Sequence, residues 1–555
     1  MWFNIAKVAP RPTVSPWFFN IIVALVITFF QNVIYFKKVL QLVDISAGYN
    51  LLFFLSMPIT LLFALNLVFS LILLPYLRKP LVILLFFSDA LAQYFMQAYG
   101  IIIDRGMVQN TLDTTMVESA ALLTPRLALF FVVYGLLPSL LVLWIKVKPV
   151  AISWSSIGLY FLNILVSLCV IALVATFFYK DYASLMRNNQ QLVKNLVPSD
   201  MVLGGYSYYK HDYIKKGPFV ERGQDAHIVP MAHDNHKKNL VIVVVGETSR
   251  AQDFSLGGYG KPTNPKLAAD NVVYFPDTTS CGTATAVSVP CMFSGMTRRL
   301  YDGEKADGQS NALDIIQRAR VDVLWRENDG GCKDVCLRVP TEQLSAWHLP
   351  ELCAEGVCLD EALLRNLDSY IDARADDTVI VLHTVGSHGP TYYQRYPKSA
   401  AAFAPTCDTN EIQTCSNQAL VNTYDNTIVY IDDMLDKTIK LLQAHGDRFN
   451  TAMVYLSDHG ESLGENGIYL HGMPYAVAPA QQTHIPMLMW LSPDYLQANA
   501  VREDCLRNRA ARQAYSQDNL FSTLLGLVNV KTQLYQPDLD VLQPCREALH
   551  ENSDH

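Results

Sequence analysis

Three short apolar runs in the later part of this chain each end in residues able to ligate a metal. NLVIVVV (239–245) leads to Glu247, DTVIVLHT (377–384) carries His383 and leads to His388, and TAMVYLS (451–457) runs into Asp458 and His459. The runs are rich in Val, Ile and Leu, and helical segments such as 310–320, 359–372 and 418–443 separate them. That is the pattern of buried parallel strands covered by helices. In such folds ligands bind beyond the carboxyl ends of the strands. Taken singly, an Asp or Glu there caps a helix and a His is hydrogen-bonded in place. Two carboxylates and several imidazoles converging on one edge instead offer oxygen and nitrogen ligands to a divalent metal.

A nucleophile fits the same edge. Residues 281–291, CGTATAVSVPC, read as a turn feeding a short helix, bracketed by two cysteines. A hydroxyl at a helix N-terminus sits where free N–H groups and the helix dipole favour an anion. A metal beside it lowers its pKa. An N-cap threonine in an ordinary disulfide loop would look the same, and composition does not separate Thr283, Thr285 and Ser288.

The elements that must hold these residues divide sharply along the chain. Of 555 residues 51% are hydrophobic and 17% charged, against roughly 45–50% and 25% in soluble domains. The first 180 residues hold 11 basic and 5 acidic side chains, net +6; the remaining 375 hold 32 and 46, net −14. The first part is too apolar for water, and the second is large enough to bury its own core. A wholly soluble enzyme, a disordered chain and a polytopic transporter are excluded, and nothing points to nucleic acid.

Apolar stretches at 17–36, 51–76, 80–100, 126–147 and 155–178 are each long enough to cross a ~30 Å hydrocarbon core as helices. Lys7, Arg11, Arg78, Lys79, Lys146 and Lys148 fall on one side. Lys37, Lys38, Arg105 and Arg126 fall on the other, diluted by Asp44, Asp104, Asp113 and Glu118. The bias places the N-terminus in the cytoplasm, and five crossings deliver the large domain outside. Asp89, inside the third stretch, reads as a packing or interfacial group. In the polar connection 101–125, Asn110, Thr114 and Glu118 recur every four residues and would share one face of a helix. The expected domains are a five-helix membrane domain (1–180), a Tyr- and Lys-rich interfacial linker (181–238) and a catalytic domain (239–555).

Ten of the eleven cysteines follow residue 180; only Cys169 lies in the apolar part. No CxxC occurs, so disulfides in an oxidising compartment are expected rather than a zinc ribbon. Cys281 with Cys291, Cys332 with Cys336, Cys353 with Cys358 and Cys407 with Cys415 sit close in sequence, leaving Cys505 and Cys545. Nearest-neighbour pairing is the simplest of many.

GETSRAQ (246–252), SCGTATAVSVPCMFS (280–294), HTVGSHGP (383–390), SDHGESLGENG (457–467) and YLHGMP (469–474) resemble the signatures of lipid A phosphoethanolamine transferases, including the mobile colistin-resistance enzymes. The resemblance spans essentially the whole chain, with several long motifs in order. It implies an α/β alkaline-phosphatase-like, sulfatase-type periplasmic domain on an all-α five-helix transmembrane domain in a bacterial inner membrane. It further implies zinc held by Glu247, Thr285, Asp458 and His459, with Thr285 as nucleophile. His383, His388 and His471 match histidines assigned to a second metal or to the phosphate and donor. Asn110, Thr114 and Glu118 match positions proposed to hold the donor headgroup. Lys333 matches a lysine in the same pocket, while Gly330 stands where the colistin-resistance enzymes have a serine. Neighbouring disulfides in the family support the pairing above.

The implied reaction loads Thr285 with phosphoethanolamine from phosphatidylethanolamine and passes it to a lipid A phosphate. The cycle is ping-pong, carried out by a monomer at the bilayer face. The product carries less negative charge, so cationic peptides such as polymyxin should bind it less. The rival readings are a glycerolphosphate or other phosphoryl transferase with a different acceptor, a non-catalytic membrane sensor, and a sulfatase or phosphodiesterase that uses water.

Overall fold

The structure is a computed structural model that describes residues 11–547 except positions 47, 74, 104, 115, 150–152, 211–216, 348, 355 and 356. Lys7 and Asp104, counted above for orientation, and part of the expected linker lie outside the described residues. The chain forms two units, one of Met1–Val108 with Leu123–Ser207 and one of Gln109–Leu122 with Tyr208–His555.

In the first unit, Gly48–Ile72, Arg78–Tyr99, Pro125–Trp144 and Trp154–Met186 are long and apolar enough to cross a membrane. A fifth candidate is bent: Pro16–Gln31 and Val33–Leu42 meet at 56°. The cause is visible at Asn32, whose side-chain amide donates to the Ile27 carbonyl at 3.0 Å and to the Val197 carbonyl at 2.9 Å. A side chain inserted into the backbone ladder in this way kinks a helix. The last of the long apolar helices, Trp154–Asn188, runs past the expected boundary at 180, and two shorter helices, Gln190–Asn195 and Ser199–Tyr209, follow it.

The polar connection groups with the second unit, and it is two helices, Arg105–Asp113 and Met116–Ala121. Asn110 and Thr114 remain one turn apart, with the Thr114 hydroxyl donating to the Asn110 carbonyl at 2.6 Å. Glu118 belongs to the second helix, so the three do not share one helical face as the spacing suggested.

The second unit is built on a seven-stranded sheet. Its strands are β1 (Lys238–Gly246), β2 (Val273–Phe275), β3 (Asp322–Glu327), β4 (Thr341–Gln343), β5 (Thr378–His383), β6 (Phe449–Ser457) and β7 (Met487–Leu491), in the order β2-β7-β6-β1-β5-β3-β4. β7 runs antiparallel to its neighbours; the others are parallel. Leu240 to Val245 are all buried, since both faces are covered, which is why the strand sequence is continuously apolar rather than alternating.

Register brings the chemistry together. Gly246 of β1 pairs with Ser457 of β6, so Glu247 and Asp458 each stand one residue beyond a paired position. His383 of β5 lies between Val245 of β1 and Glu327 of β3. The helices that matter are α1 (Thr285–Phe293), α2 (Ala312–Arg318), α3 (Leu367–Asp372) and α4 (Asn417–Ala444). α2 starts on a capping box of Asn311 and Asp314, and α4 starts where the Ser416 hydroxyl accepts from the Ala419 N–H. The expected helix over 359–372 is a 3-10 turn, Asp360–Leu364, followed by α3.

Five disulfides join Cys281 to Cys291, Cys332 to Cys336, Cys353 to Cys358, Cys407 to Cys415 and Cys505 to Cys545, the nearest-neighbour set. Cys169 is free.

One glycine is required by the site. Gly386, in the turn after β5, has φ +50°, and a Cβ there would lie 2.5 Å from the Glu247 carbonyl oxygen. Asp360 holds the same turn by accepting from the N–H groups of Val385 and Gly386 at 2.8 and 2.9 Å. Gly386→Ala should therefore cost about 1–3 kcal/mol through strain and displace Glu247. A lowered thermal unfolding midpoint of the purified full-length protein checks it.

Candidate metal centre and nucleophile

Glu247, Thr285, Asp458 and His459 meet at the carboxyl edge of β1 and β6, all of them buried. The Thr285 hydroxyl donates to Glu247 Oε2 at 3.1 Å and lies 3.4 Å from His459 Nε2. His459 Nε2 is 3.4 Å from Glu247 Oε1 and 3.2 Å from Asp458 Oδ2. Thr285 is the first residue of α1, where backbone N–H groups lack intrahelical partners. The other two hydroxyls left open by composition are engaged elsewhere. Thr283 donates to the Met473 carbonyl at 2.6 Å, and Ser288 accepts from the Gly282 N–H at 3.1 Å.

The loop before α1 is clamped to the strand that runs into Asp458 and His459. Gln517 donates to the carbonyls of Ser457 and Asp458 at 2.8 and 2.6 Å, while its Oε1 accepts from the Cys281 N–H at 2.7 Å. The Cys281–Cys291 bridge ties the loop to α1. Gly472 donates to the Thr283 carbonyl at 2.7 Å, which brings the His471 loop alongside.

The histidines form a wall. The His471 ring lies 4.4 Å from that of His459 and 5.3 Å from that of His388, centroid to centroid. His471 Nδ1 is 2.7 Å from Glu461 Oε2, and the Tyr392 hydroxyl donates to the other oxygen of Glu461 at 2.5 Å. His383 Nδ1 contacts both oxygens of Glu327, at 3.0 and 2.9 Å. Lys333 has φ +48° beside the Cys332–Cys336 bridge, with Nζ 3.3 Å from the Gly330 carbonyl. Asn110 and Thr114 lie on the first of the two connecting helices and at its end.

Electrostatics make these groups demand a cation. Burial raises the Glu247 carboxyl well above the usual range, and the charges of Asp458 and Asp329 add to the effect. Burial raises Asp458 and Asp329 as well. It lowers His459, with His471 adding, and pushes His388 down to about 3, again with His471 adding. Burial would also lower His383, but the Glu327 carboxylate overrides it and lifts it to about 9. His471 is raised because Glu461 outweighs its burial.

Among the buried atoms without a hydrogen-bond partner, three belong to these strand-end residues: Glu247 Oε1, Asp458 Oδ2 and His383 Nε2. Orphaned buried polar atoms are rare, and these are two carboxylate oxygens and an imidazole nitrogen facing one edge. Ligand atoms of Glu247, His459 and His471 lie within 4.8 Å of one another, as do those of Glu247, Asp329 and His383. The residues fit a divalent metal ion. Sequence reasoning missed Glu327, Asp329, Asp360, Glu461 and Gln517. Glu327 had the same signal as the other strand ends, but Trp325 and Arg326 break the apolar run before it.

A sulfatase family model matches residues 239–530, and a phosphoethanolamine transferase EptA/EptB model matches residues 61–213. The chain is 52% identical to phosphoethanolamine transferase EptA of Escherichia coli (strain K12), over 98% of this chain and all of that one. It is 37% identical to phosphatidylethanolamine transferase Mcr-1 of Escherichia coli, covering 86% of this chain and 90% of the relative. Among solved structures it is similar to the integral membrane lipooligosaccharide phosphoethanolamine transferase A from Neisseria meningitidis. The TM-score is 0.92 at 41% identity, covering 97% of this chain and all of that one.

Glu327 fixes His383 through Nδ1 and leaves its Nε2 without a hydrogen-bond partner, so if the edge binds a divalent ion Glu327→Gln should weaken the binding of added zinc by about 10–100-fold. Because burial has raised the carboxyl groups, acidification should also weaken binding in the unmutated protein. Zinc titration of chelator-treated protein, followed by thermal shift at several pH values, checks both.

Proposed function

Because this chain belongs to the phosphoethanolamine transferase family, with a sulfatase-type domain on an apolar helical domain, we propose that it moves phosphoethanolamine from phosphatidylethanolamine to a lipid A phosphate through a covalent adduct on Thr285. The observation that carries this reading is the Thr285 hydroxyl, 3.1 Å from Glu247 at the first position of α1 while its two rival hydroxyls are engaged elsewhere. The enzyme works at the inner membrane, with its N-terminus in the cytoplasm and residues 239–555 in the periplasm. Both reactants are lipids, and holding the site at the bilayer face raises their effective concentration.

Glu247, Thr285, Asp458 and His459 would hold zinc, which supplies a Lewis acid that lowers the hydroxyl pKa and offsets charge on the phosphoryl oxygens. Thr285 Oγ1 attacks phosphorus in line, the bond to the diacylglycerol oxygen breaks, and the hydroxyl proton passes by way of the Glu247 carboxylate to that oxygen, which leaves as the alcohol. The α1 N-terminus and His471, whose pKa is raised because Glu461 outweighs its burial, face the phosphoryl oxygens. His388, held neutral by burial, adds a hydrogen-bonding imidazole, and His383 completes the wall from the β5 side. Lys333, Asn110, Thr114 and Glu118 receive the donor headgroup, Glu118 by attracting its ammonium. An oxygen of the lipid A phosphate then attacks the adduct, the Oγ1–phosphorus bond breaks, and Thr285 recovers its proton. The new diphosphate linkage ends in an ammonium, so the lipid surface attracts cationic peptides less strongly.

Intact mass analysis of the full-length protein after incubation with phosphatidylethanolamine should show one phosphoethanolamine group on Thr285. Thr285→Ala should show none, and cells expressing it should lose the polymyxin tolerance that the unmutated chain confers. An unloaded wild-type protein that still modifies lipid A would overturn the covalent route.

A further inference from the structure

A cavity of about 220 Å³ opens in the second unit away from the metal centre. Its wall includes Arg222, Ser294, Ser310, Phe521, Gln533 and Gln536. Ser294 is the C-cap of α1, whose first residue is Thr285. Nine residues of helix separate the two, about 13 Å at 1.5 Å per residue. The cavity and the nucleophile therefore sit at opposite ends of one rigid, disulfide-braced element.

The lining is chemically selective. The Arg222 guanidinium donates to Gln309 Oε1 at 3.1 Å, and the Arg222 main-chain N–H donates to the Ser310 hydroxyl at 3.0 Å. Arg318 donates to the Arg222 carbonyl and so fixes the backbone beneath it. Among the described residues no carboxylate lies within ion-pairing distance of Arg222. Ser294 and Gln536 are tied to the backbone of Cys291, Met296 and Gly295, so an uncompensated guanidinium beside the Ser310 hydroxyl and the Gln533 amide is what the cavity offers: it suits a phosphate carried on a sugar, with the fork taking the phosphate and Ser310 and Gln533 taking sugar hydroxyls. Phe521 offers a flat apolar face, and a Cβ at Gly295 would meet its ring at 3.0 Å, so the backbone leaves that ring just enough room. Drug-sized ligands occupy roughly 300–1,000 Å³; this cavity has room for one sugar ring and not for lipid chains.

We propose that this cavity is an acceptor subsite, which takes a phosphorylated sugar of the acceptor headgroup while another phosphate of the same molecule reaches Thr285. The assignment rests on the transferase reading above. It makes Arg222 a specificity-determining residue for the second half of the cycle and leaves the first half independent of it.

The two halves can be read separately on the full-length protein. Arg222→Ala should load Thr285 from phosphatidylethanolamine at the unmutated rate, yet show about a tenfold higher KM for lipid A, with kcat little changed. Arg222→Lys should recover part of the loss, and Gln533→Ala should raise the same KM by a smaller factor. Calorimetric titration with glucosamine 1-phosphate should show binding to the unmutated protein and none to Arg222→Ala. Unchanged KM for lipid A in both Arg222→Ala and Gln533→Ala, or equal loss of loading and discharge, overturns the subsite. Should Arg222→Ala fail to fold, the Gln533→Ala and Arg222→Lys values decide. Failure of unmutated Thr285 to load at all would sink the transferase reading instead, so the two failures are distinct.

Discussion

The structure depends on an electrostatic debt at the ends of its central strands. Glu247, Asp458 and Asp329 crowd one buried region, and none of the three is paired with Lys or Arg. Burying unpaired carboxylates costs several kcal/mol each unless they are neutralised. The arrangement makes sense as half of a salt whose other half is a divalent cation. The sheet, the turn at Gly386, the Gln517 clamp and the Cys281–Cys291 bridge all hold these like charges together in the face of their repulsion.

The supporting shell is itself charged and buried. Arg250, three residues after Glu247, bonds Asp253 at 2.7 Å and Glu465 at 2.9 Å and packs over the Tyr424 ring. The Tyr424 hydroxyl donates to the Thr248 carbonyl at 2.6 Å and accepts from the Arg250 N–H at 3.0 Å. Thr248 itself has φ +53°, a strained turn that places Glu247 on one side and lets the Thr248 N–H bond Asp458 on the other. The GETSR motif is thus a buried strand-end carboxylate, a strained corner and a buried brace written in five consecutive residues.

The sequence made much of this legible. Continuous apolar strands identified a covered parallel sheet, and strand-end polarity located Glu247, His383, Asp458 and His459 on one edge. The five apolar stretches reappear as four membrane-length helices and one bent pair. What periodicity could not carry was anything decided by tertiary contact. Thr283, Thr285 and Ser288 differ only in which neighbour each hydroxyl meets. Glu327 and Asp329 follow a strand whose Trp325 and Arg326 disguise it. The break between Arg105–Asp113 and Met116–Ala121 removes the single face that a four-residue repeat suggests. The bend at Asn32 depends on Val197, 165 residues away.

The bridge that flanks α1 also sets when the enzyme can be assembled. Cys281 and Cys291 enclose Thr285 between them, so the loop that presents its hydroxyl is completed only where thiols are oxidised. A newly made chain still facing the reducing cytosol lacks that brace, along with the four others. The oxidation state of the compartment thereby acts as a delivery receipt, completing the brace beside the Thr285 hydroxyl only once the domain has left the cytosol.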